Sequence, residues 1–388
     1  MKNLSHVDVM FNGRKVGTLA KTGGRSAIAF QYSRDWLNDG FSVSPIKLDF
    51  NDKVQIPPVS EDFAGLFGVF HESLPDSWGN KLLDLRLSEA GIAPSGIGTL
   101  DRLAIMQENN RGALYYLPEH KIPVSETEQV LNFSREYSDM DFLAGEINEV
   151  LSGNKTKNLD TLFNLGGSSG GTRPKVNYRI HGEEWLVKFP GRGDSPDIGL
   201  QEYEYARCAQ KCGVNVPETA LLPSGKCAGY FAVKRFDRDK GKRIHMVSAA
   251  GLINKFYYCD PAFDYQTLFA LTMKLTDNFR YSKDLYRLMC FNVYSHNQDD
   301  HAKNFSFLYD TDSRSWKLAP AYDLTYCQNA FNAHATYLNG RAAQPELNDL
   351  LALAEYAGIS KTWAKETAEE IKENVVRDLS AYIKNAIN

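Results

Sequence analysis

The pattern of this chain changes period near residue 236, and that change limits the fold more than anything else in it. Before it, strand signals dominate. His6-Val-Asp-Val-Met-Phe11 alternates, Asn12-Gly13 supplies a two-residue turn, and Val16-Gly-Thr-Leu19 returns, which predicts a hairpin over residues 6–19. Ala27–Tyr32, Gly112–Leu117, Lys175–Ile180, Glu184–Phe189 and Gly229–Phe236 read as further strands, with His181-Gly182 turning the third into the fourth. Helices break in at Leu74–Leu87, with Pro75 in its first turn and Trp78, Leu82 and Leu85 at helical spacing. Two more span residues 141–151, ended by Gly153, and about 196–212, ended by Gly213. Beyond Asp237 the pattern is mostly helical: 263–275, 285–294, 347–356 and 363–387. Strands first and helices after predict an α+β chain with a two-lobed plan. The polar stretch Pro118–Glu128 marks an earlier boundary, so the expected parts are 1–122, 123–236 and 237–388.

At 388 residues there is enough chain for two or three packed cores. The hydrophobic share of 43% and charged share of 24% belong to a soluble globular protein, and a net charge of -4 argues against broad, charge-driven nucleic-acid binding. The opening residues lack the apolar core of a signal peptide, and no window approaches the ~20 apolar residues of a membrane span. None of the six cysteines forms a C-x-x-C pair, which speaks against a zinc ribbon. Cys208 and Cys212, four apart in a predicted helix, read as packing residues, and a reducing cytoplasm is the expected location.

The chemistry concentrates in Ser295-His-Asn-Gln-Asp299-Asp-His-Ala-Lys-Asn304. Asp299 and Asn304 have the D-x-x-x-x-N spacing of a protein-kinase catalytic loop, where the Asp accepts the proton of the attacking hydroxyl and the Asn holds Mg²⁺. Asp300 is one residue too close to Asn304 for that role. His301 either contacts a phosphate or braces the loop, and Lys303 either neutralises transferred phosphate or is simply solvated. Asp323, in Leu318-Ala-Pro-Ala-Tyr-Asp323-Leu, is a second Mg²⁺ ligand or a buried structural acid. His296 and His334 read as structural.

Upstream, Gly166-Gly167-Ser168-Ser169-Gly170-Gly171 can bring backbone N–H groups close to phosphate, because no Cβ blocks the approach; taken alone it reads as a surface turn. It lacks the Gly-Lys-Ser/Thr ending of a Walker loop. Lys175 is surface charge or adds to phosphate attraction. Lys188, in the apolar strand Trp185–Phe189, faces solvent or neutralises the α/β-phosphates, with Glu204 as the helical carboxylate that would steady it and Glu202 as the competitor. Val233, Arg235 and Phe236 fall where the lobes would join and adenine would sit, although Phe236 serves a core equally well. Asp237 reads as a loop or cap residue. The order of the pieces predicts phosphoryl transfer from ATP with Mg²⁺ on a protein-kinase-like fold, with an extra N-terminal module and a helical C-terminal lobe.

These segments resemble the HipA family, the serine/threonine-kinase toxins of bacterial toxin–antitoxin pairs. The likeness rests on Gly167–Lys175, Leu186–Pro190, Glu204-Tyr205, Asn215–Pro217, Val233–Arg238, Asp299–Ser306 and Ala319–Leu324, with Glu72–Gly79 matching the family's N-terminal module. The resemblance implies a kinase that phosphorylates a protein, in known members an aminoacyl-tRNA synthetase. It implies a small helix-turn-helix antitoxin as partner, with operator DNA reached mainly through it. It also implies autophosphorylation of a serine in the Gly-rich loop, which Ser168 matches best and Ser169 adjoins. A phosphoserine there would place about -2 of charge beside the ATP phosphates. Two other classes remain open: a small-molecule kinase of the same plan, and a catalytically silent corepressor that docks an antitoxin.

Overall fold

The structure, a computed structural model, describes residues 3–23, 27–58, 63–106, 110–120, 122, 138–166, 171–256, 258, 260–328 and 331–383. The chain forms two compact units. The first holds residues 1–199, 221–247 and 251–255, and the second holds 200–220, 248–250 and 256–388.

The first unit opens with β1 (His6–Phe11), β2 (Arg14–Lys21) and β3 (Ile28–Tyr32), followed by α1 (Arg34–Asp39), α2 (Gly68–His71), α3 (Ser77–Glu89), α4 (Thr99–Met106) and β4 (Leu114–Pro118). The four strands make an antiparallel sheet in the order β3-β2-β1-β4. Its first hairpin is the expected one: Phe11 pairs with Arg14, and Asn12 and Gly13 carry φ of 45° and 82°. Both turn residues are left-handed, which matches the twist of the strands. In β1 every second residue is buried, so Val7, Val9 and Phe11 face the core, where Phe11 meets Trp36 and Phe41 edge to face. Helix α3 begins later than expected. Asp76 is its N-cap, accepting from the Gly79 N–H at 2.8 Å, so Pro75 lies before the helix and not in its first turn.

Next come α5 (Ser138–Ser152), α6 (Leu159–Gly166), β5 (Lys175–Ile180), β6 (Glu183–Lys188), α7 (Ile198–Lys211), β7 (Thr219–Leu222) and β8 (Tyr230–Lys234), of which residues 200–220, with nearly all of α7, belong to the second unit. Strands β5 and β6 form the expected hairpin around His181 and Gly182 (φ 51° and 86°), and β6 pairs antiparallel with β8. Trp185, Val187 and Phe189 are buried on one face, which leaves Lys188 on the other. Short strands β9 (Arg238–Asp239) and β10 (Lys242–Arg243) pair with each other, followed by β11 (His245–Ser248) and α8 (Ala249–Ile253).

The second unit is built on α9 (Tyr265–Thr276) and α10 (Phe279–Tyr294), capped by Asp264 and Asn278. Helix α10 starts six residues before its apolar pattern begins because Asn278 caps it there. The expected helical run is interrupted by a hairpin, β12 (Ser306–Asp310) with β13 (Ser315–Leu318). Helices α11 (Leu347–Tyr356) and α12 (Lys361–Ile383) close the unit, with α12 packed on α10. The antiparallel sheets and helices make an α+β fold. No helix among the described residues is long and apolar enough to cross a membrane.

Candidate functional site

The candidate groups fall in both units. In the second unit, the segment after α10 turns sharply at His296 (φ 54°) and runs extended to a single 3₁₀ turn at Ala302–Asn304, which leads into β12. His301 starts that turn, its Nδ1 accepting the Lys303 N–H at 3.3 Å. The ring proton therefore sits on Nε2, which faces Asp299 Oδ1 at 3.8 Å. Burial lowers the His301 pKa, and Asp299 and Asp323 only partly offset that, so the ring is neutral near pH 7. Phe256 and Tyr258 flank the ring, and Lys303 Nζ stands 4.5 Å from the Phe256 centroid. The Asp299 side chain is 43% exposed. Asn304 Nδ2 donates to the Asp299 carbonyl at 2.6 Å, which commits its amino side and orients Oδ1 as its acceptor.

Asp300 is the opposite of its neighbour. It is 1% exposed, and its carboxylate accepts from the Tyr265 hydroxyl at 2.8 Å, the Ala335 N–H at 2.9 Å, the Thr336 N–H at 3.3 Å and His334 Nδ1 at 3.1 Å. Asn297 donates to Asn292 and Asn292 to Tyr265, so a buried chain of hydrogen bonds ends on Asp300. That chain fixes the backbone from which Asp299 projects. Its members, Tyr265 above all, were missed because no local motif marks a partner 35 residues away.

Asp323 sits at φ 54°. The left-handed region costs a residue with a Cβ, although Asp tolerates it better than most. Just before it, the Tyr322 hydroxyl donates to the Lys303 carbonyl at 2.6 Å and meets Ser306 Oγ at 2.5 Å. The segment carrying Asp323 is thereby tied to the segment carrying Asn304. Tyr322 stood inside a recognised motif, but nothing in the spacing pointed to its hydroxyl. Among the described residues no group of three or more His, Cys, Asp or Glu side chains is placed to hold a metal by itself. Mg²⁺ takes one or two protein oxygens and completes its shell with phosphate and water, and Asn304 with Asp323 supply donors of that kind.

In the first unit, β5 and β6 place Lys175 directly opposite Lys188. Directly paired residues share a face, so two like charges meet on one side of this hairpin, an arrangement that costs stability unless anions are near. Lys188 Nζ also lies 5.6 Å from the Phe231 centroid. Lys175 is not surface charge: it is 3% exposed, with Asp76 at 3.6 Å. Gly171 has φ 87° and is exposed, while Gly167, Ser168, Ser169 and Gly170 lie outside the described residues. Val233 pairs with Leu186, and both Val233 and Phe236 are half-buried.

The Arg235 guanidinium, expected near adenine, is engaged by Asp237 (2.9 and 2.7 Å), Asn177 Oδ1 (2.7 Å) and the Asn110 carbonyl, and the backbone N–H of Arg235 donates to the Glu184 carbonyl. Asp237 also accepts from Arg238 and from the Gly112 N–H. Burial would raise the Asp237 carboxyl, but Arg235 and Arg238 hold it well below the usual carboxylate range. Glu204, expected to steady Lys188, accepts the Tyr382 hydroxyl and so ties α7 to α12, while Glu202 on the same helix is 2% exposed.

Comparison with known proteins adds to this geometry. A family model described as the HipA-like C-terminal domain matches residues 167–379, more than half of the chain, and one described as the HipA N-terminal domain matches residues 7–117. A curated relative, a putative kinase of Haemophilus influenzae, is 26% identical over 179 residues, covering 41% of this chain and 52% of the relative. The chain thus spans about half the length of that relative. Among solved structures, the Shewanella oneidensis MR-1 toxin–antitoxin complex of HipA, HipB and operator DNA is similar, with a TM-score of 0.68 at 17% identity over 97% of this chain and 90% of that one. Helicobacter pylori CtkA, a proinflammatory kinase, aligns over 56% of this chain and 93% of its own, with a TM-score of 0.38 at 16% identity.

Proposed function

The chain belongs to the HipA family, and from that premise we propose that it is an ATP- and Mg²⁺-dependent serine/threonine protein kinase, the toxin of a toxin–antitoxin pair. The observation that carries this reading is the contrast within Asp299–Asn304. One carboxylate is locked by hydrogen bonds and its neighbour projects half-exposed, with a neutral imidazole beside it and an oriented amide five residues on.

In this reading Asp299 takes the proton of a serine or threonine hydroxyl as the oxygen bonds to the γ-phosphorus. The bond from that phosphorus to the β–γ bridging oxygen breaks, and ADP leaves. His301 Nε2–H steadies the Asp299 carboxylate, and Lys303 offsets charge on the transferred phosphoryl group. Asn304 and Asp323 would hold Mg²⁺, which supplies charge neutralisation across the phosphates. Lys188 and Lys175 meet the polyphosphate with backbone N–H groups of Gly167–Gly171, and Val233 and Phe236 serve the adenine.

The substrate is a translation-related protein of the aminoacyl-tRNA synthetase type, the partner is a small helix-turn-helix antitoxin that brings in operator DNA, and the setting is the cytoplasm. Ser168, or Ser169 beside it, is the self-modified residue. Incubation of the purified chain with Mg²⁺ and γ-labelled ATP tests this. Label should enter the protein itself, and Ser168→Ala with Ser169→Ala should abolish it. A wild-type protein that labels an added sugar or aminoglycoside but no protein would make it a small-molecule kinase. No label on any acceptor would leave a silent corepressor.

A further inference from the structure

Helix α3 lies against Gly166 and, through its N-cap and Lys175, next to Gly171. At the far end, Lys175 Nζ is packed so closely on Gly171 that a methyl group there would lie 2.8 Å from it. Asp76 faces the same ammonium: its Oδ2 is 3.6 Å away, and both side chains are less than a tenth exposed. Asp76 Oδ1 caps α3, whereas Oδ2 is buried with no hydrogen-bond partner among the described residues. At the near end, a methyl group on Gly166 would lie 3.0 Å from Leu82 and 3.5 Å from Trp78 Nε1, a buried indole nitrogen that also has no hydrogen-bond partner among the described residues. Helix α6, which ends in Gly166, is clamped to α3 by Arg86, which bonds Asp160 at 2.9 Å and covers the Phe163 ring at 4.8 Å.

A buried carboxylate oxygen without a hydrogen bond is costly, and natural proteins leave few of them. This one attracts a buried ammonium across a gap longer than a hydrogen bond. The attraction is strong at low dielectric, so it fixes where the ammonium sits without spending an N–H on the carboxylate. We propose that Asp76 is a positioning residue contributed by the N-terminal module. It holds the Lys175 ammonium against Gly171, where that lysine meets the polyphosphate of the nucleotide. The inference rests on the kinase reading above and deepens it, because it makes phosphate binding depend on a helix cap outside the kinase part of the chain.

Asp76→Asn isolates the charge. Asn caps a helix as well as Asp does, and it keeps the size of the side chain while removing the attraction for Lys175. The full chain is titrated calorimetrically with Mg·ATP and, separately, with adenosine, and melting is followed alongside. The expected result is ATP binding weakened by about tenfold, adenosine binding unchanged, and no further loss when Asp76→Asn is added to Lys175→Ala. Should Asp76→Asn fail to fold, Asp76→Ser keeps a capping oxygen and is expected to show the same split. A variant that binds ATP like wild type, or that loses ATP and adenosine equally, overturns the inference alone. A wild-type chain that binds no ATP overturns the kinase reading and the inference with it.

Discussion

Asp299 and Asp300 are adjacent and chemically alike, yet their surroundings give them opposite properties. Asp300 accepts two backbone N–H groups, a tyrosine hydroxyl and an imidazole in the interior, and its carbonyl takes the Thr336 hydroxyl. Replacing it by Asn turns one acceptor oxygen into a donor facing donors. A buried charged acceptor lost in this way costs about 3 kcal/mol, so Asp300→Asn is expected to lower the melting temperature by several degrees. Asp299 is 43% exposed, and Asp299→Asn is expected to leave melting unchanged while reducing ATP-dependent phosphorylation by roughly 10²–10⁴-fold, the contribution of a general base. Calorimetry and turnover on the two variants, side by side, decide the matter. A stable, active Asp299→Asn protein beside an inactive Asp300→Asn protein of wild-type stability would exchange the two roles.

At the scale of elements, the Tyr322 hydroxyl makes the start of β12 and the segment that carries Asp323 into one piece. It bonds the last turn of the Asp299–Asn304 loop and the first residue of the strand together. Tyr322→Phe keeps the ring and removes both bonds. The expected effect is a several-fold rise in the Mg²⁺ concentration needed for half-maximal turnover, with less change in the KM for ATP; a Mg²⁺ titration identical to wild type would remove the tether from the mechanism. Elements of this kind were partly legible in the sequence. Helices with a clear apolar stripe and a glycine stop, such as α5 and α7, were found to within a few residues, and the Asn12-Gly13 and His181-Gly182 turns marked their hairpins. The β12–β13 hairpin was not, because its strands are only five and four residues long and abut the loop motif. Spacing also identified Asp299 and Asn304 as a pair. It assigned Arg235 to adenine because position along the strand was all it had to go on. The partners that claim that guanidinium, Asn177 and Asn110, lie 58 and 125 residues away, beyond any local pattern.

For the molecule as a whole, the buried cluster around Asp237 binds together stretches that match two separate family models. Asn110 and Gly112 come from the first of these, and Arg235, Asp237, Arg238 and Arg243 from the second. The carbonyls of Asn110 and Gly112 accept from Arg238 and Arg243, and the Gly112 N–H donates to Asp237. All of them lie in the first compact unit, so the N-terminal module and the strands bearing Lys175 and Lys188 are one folded body. Asp237 is the carboxylate that Arg235 and Arg238 share. Asp237→Asn would leave buried guanidinium groups without that counter-charge, and breaking a buried ion pair from one side costs about 3–5 kcal/mol. Asp239→Asn, two residues away and exposed, provides the control, expected within about 0.5 kcal/mol of wild type. In urea unfolding followed by tryptophan fluorescence, Asp237→Asn should therefore move the midpoint of the first unit well below that of the control, and with it the midpoint for losing ATP binding. If the two variants unfold together, the cluster is a surface convenience, and the N-terminal module would be free to fold apart from the strands it adjoins.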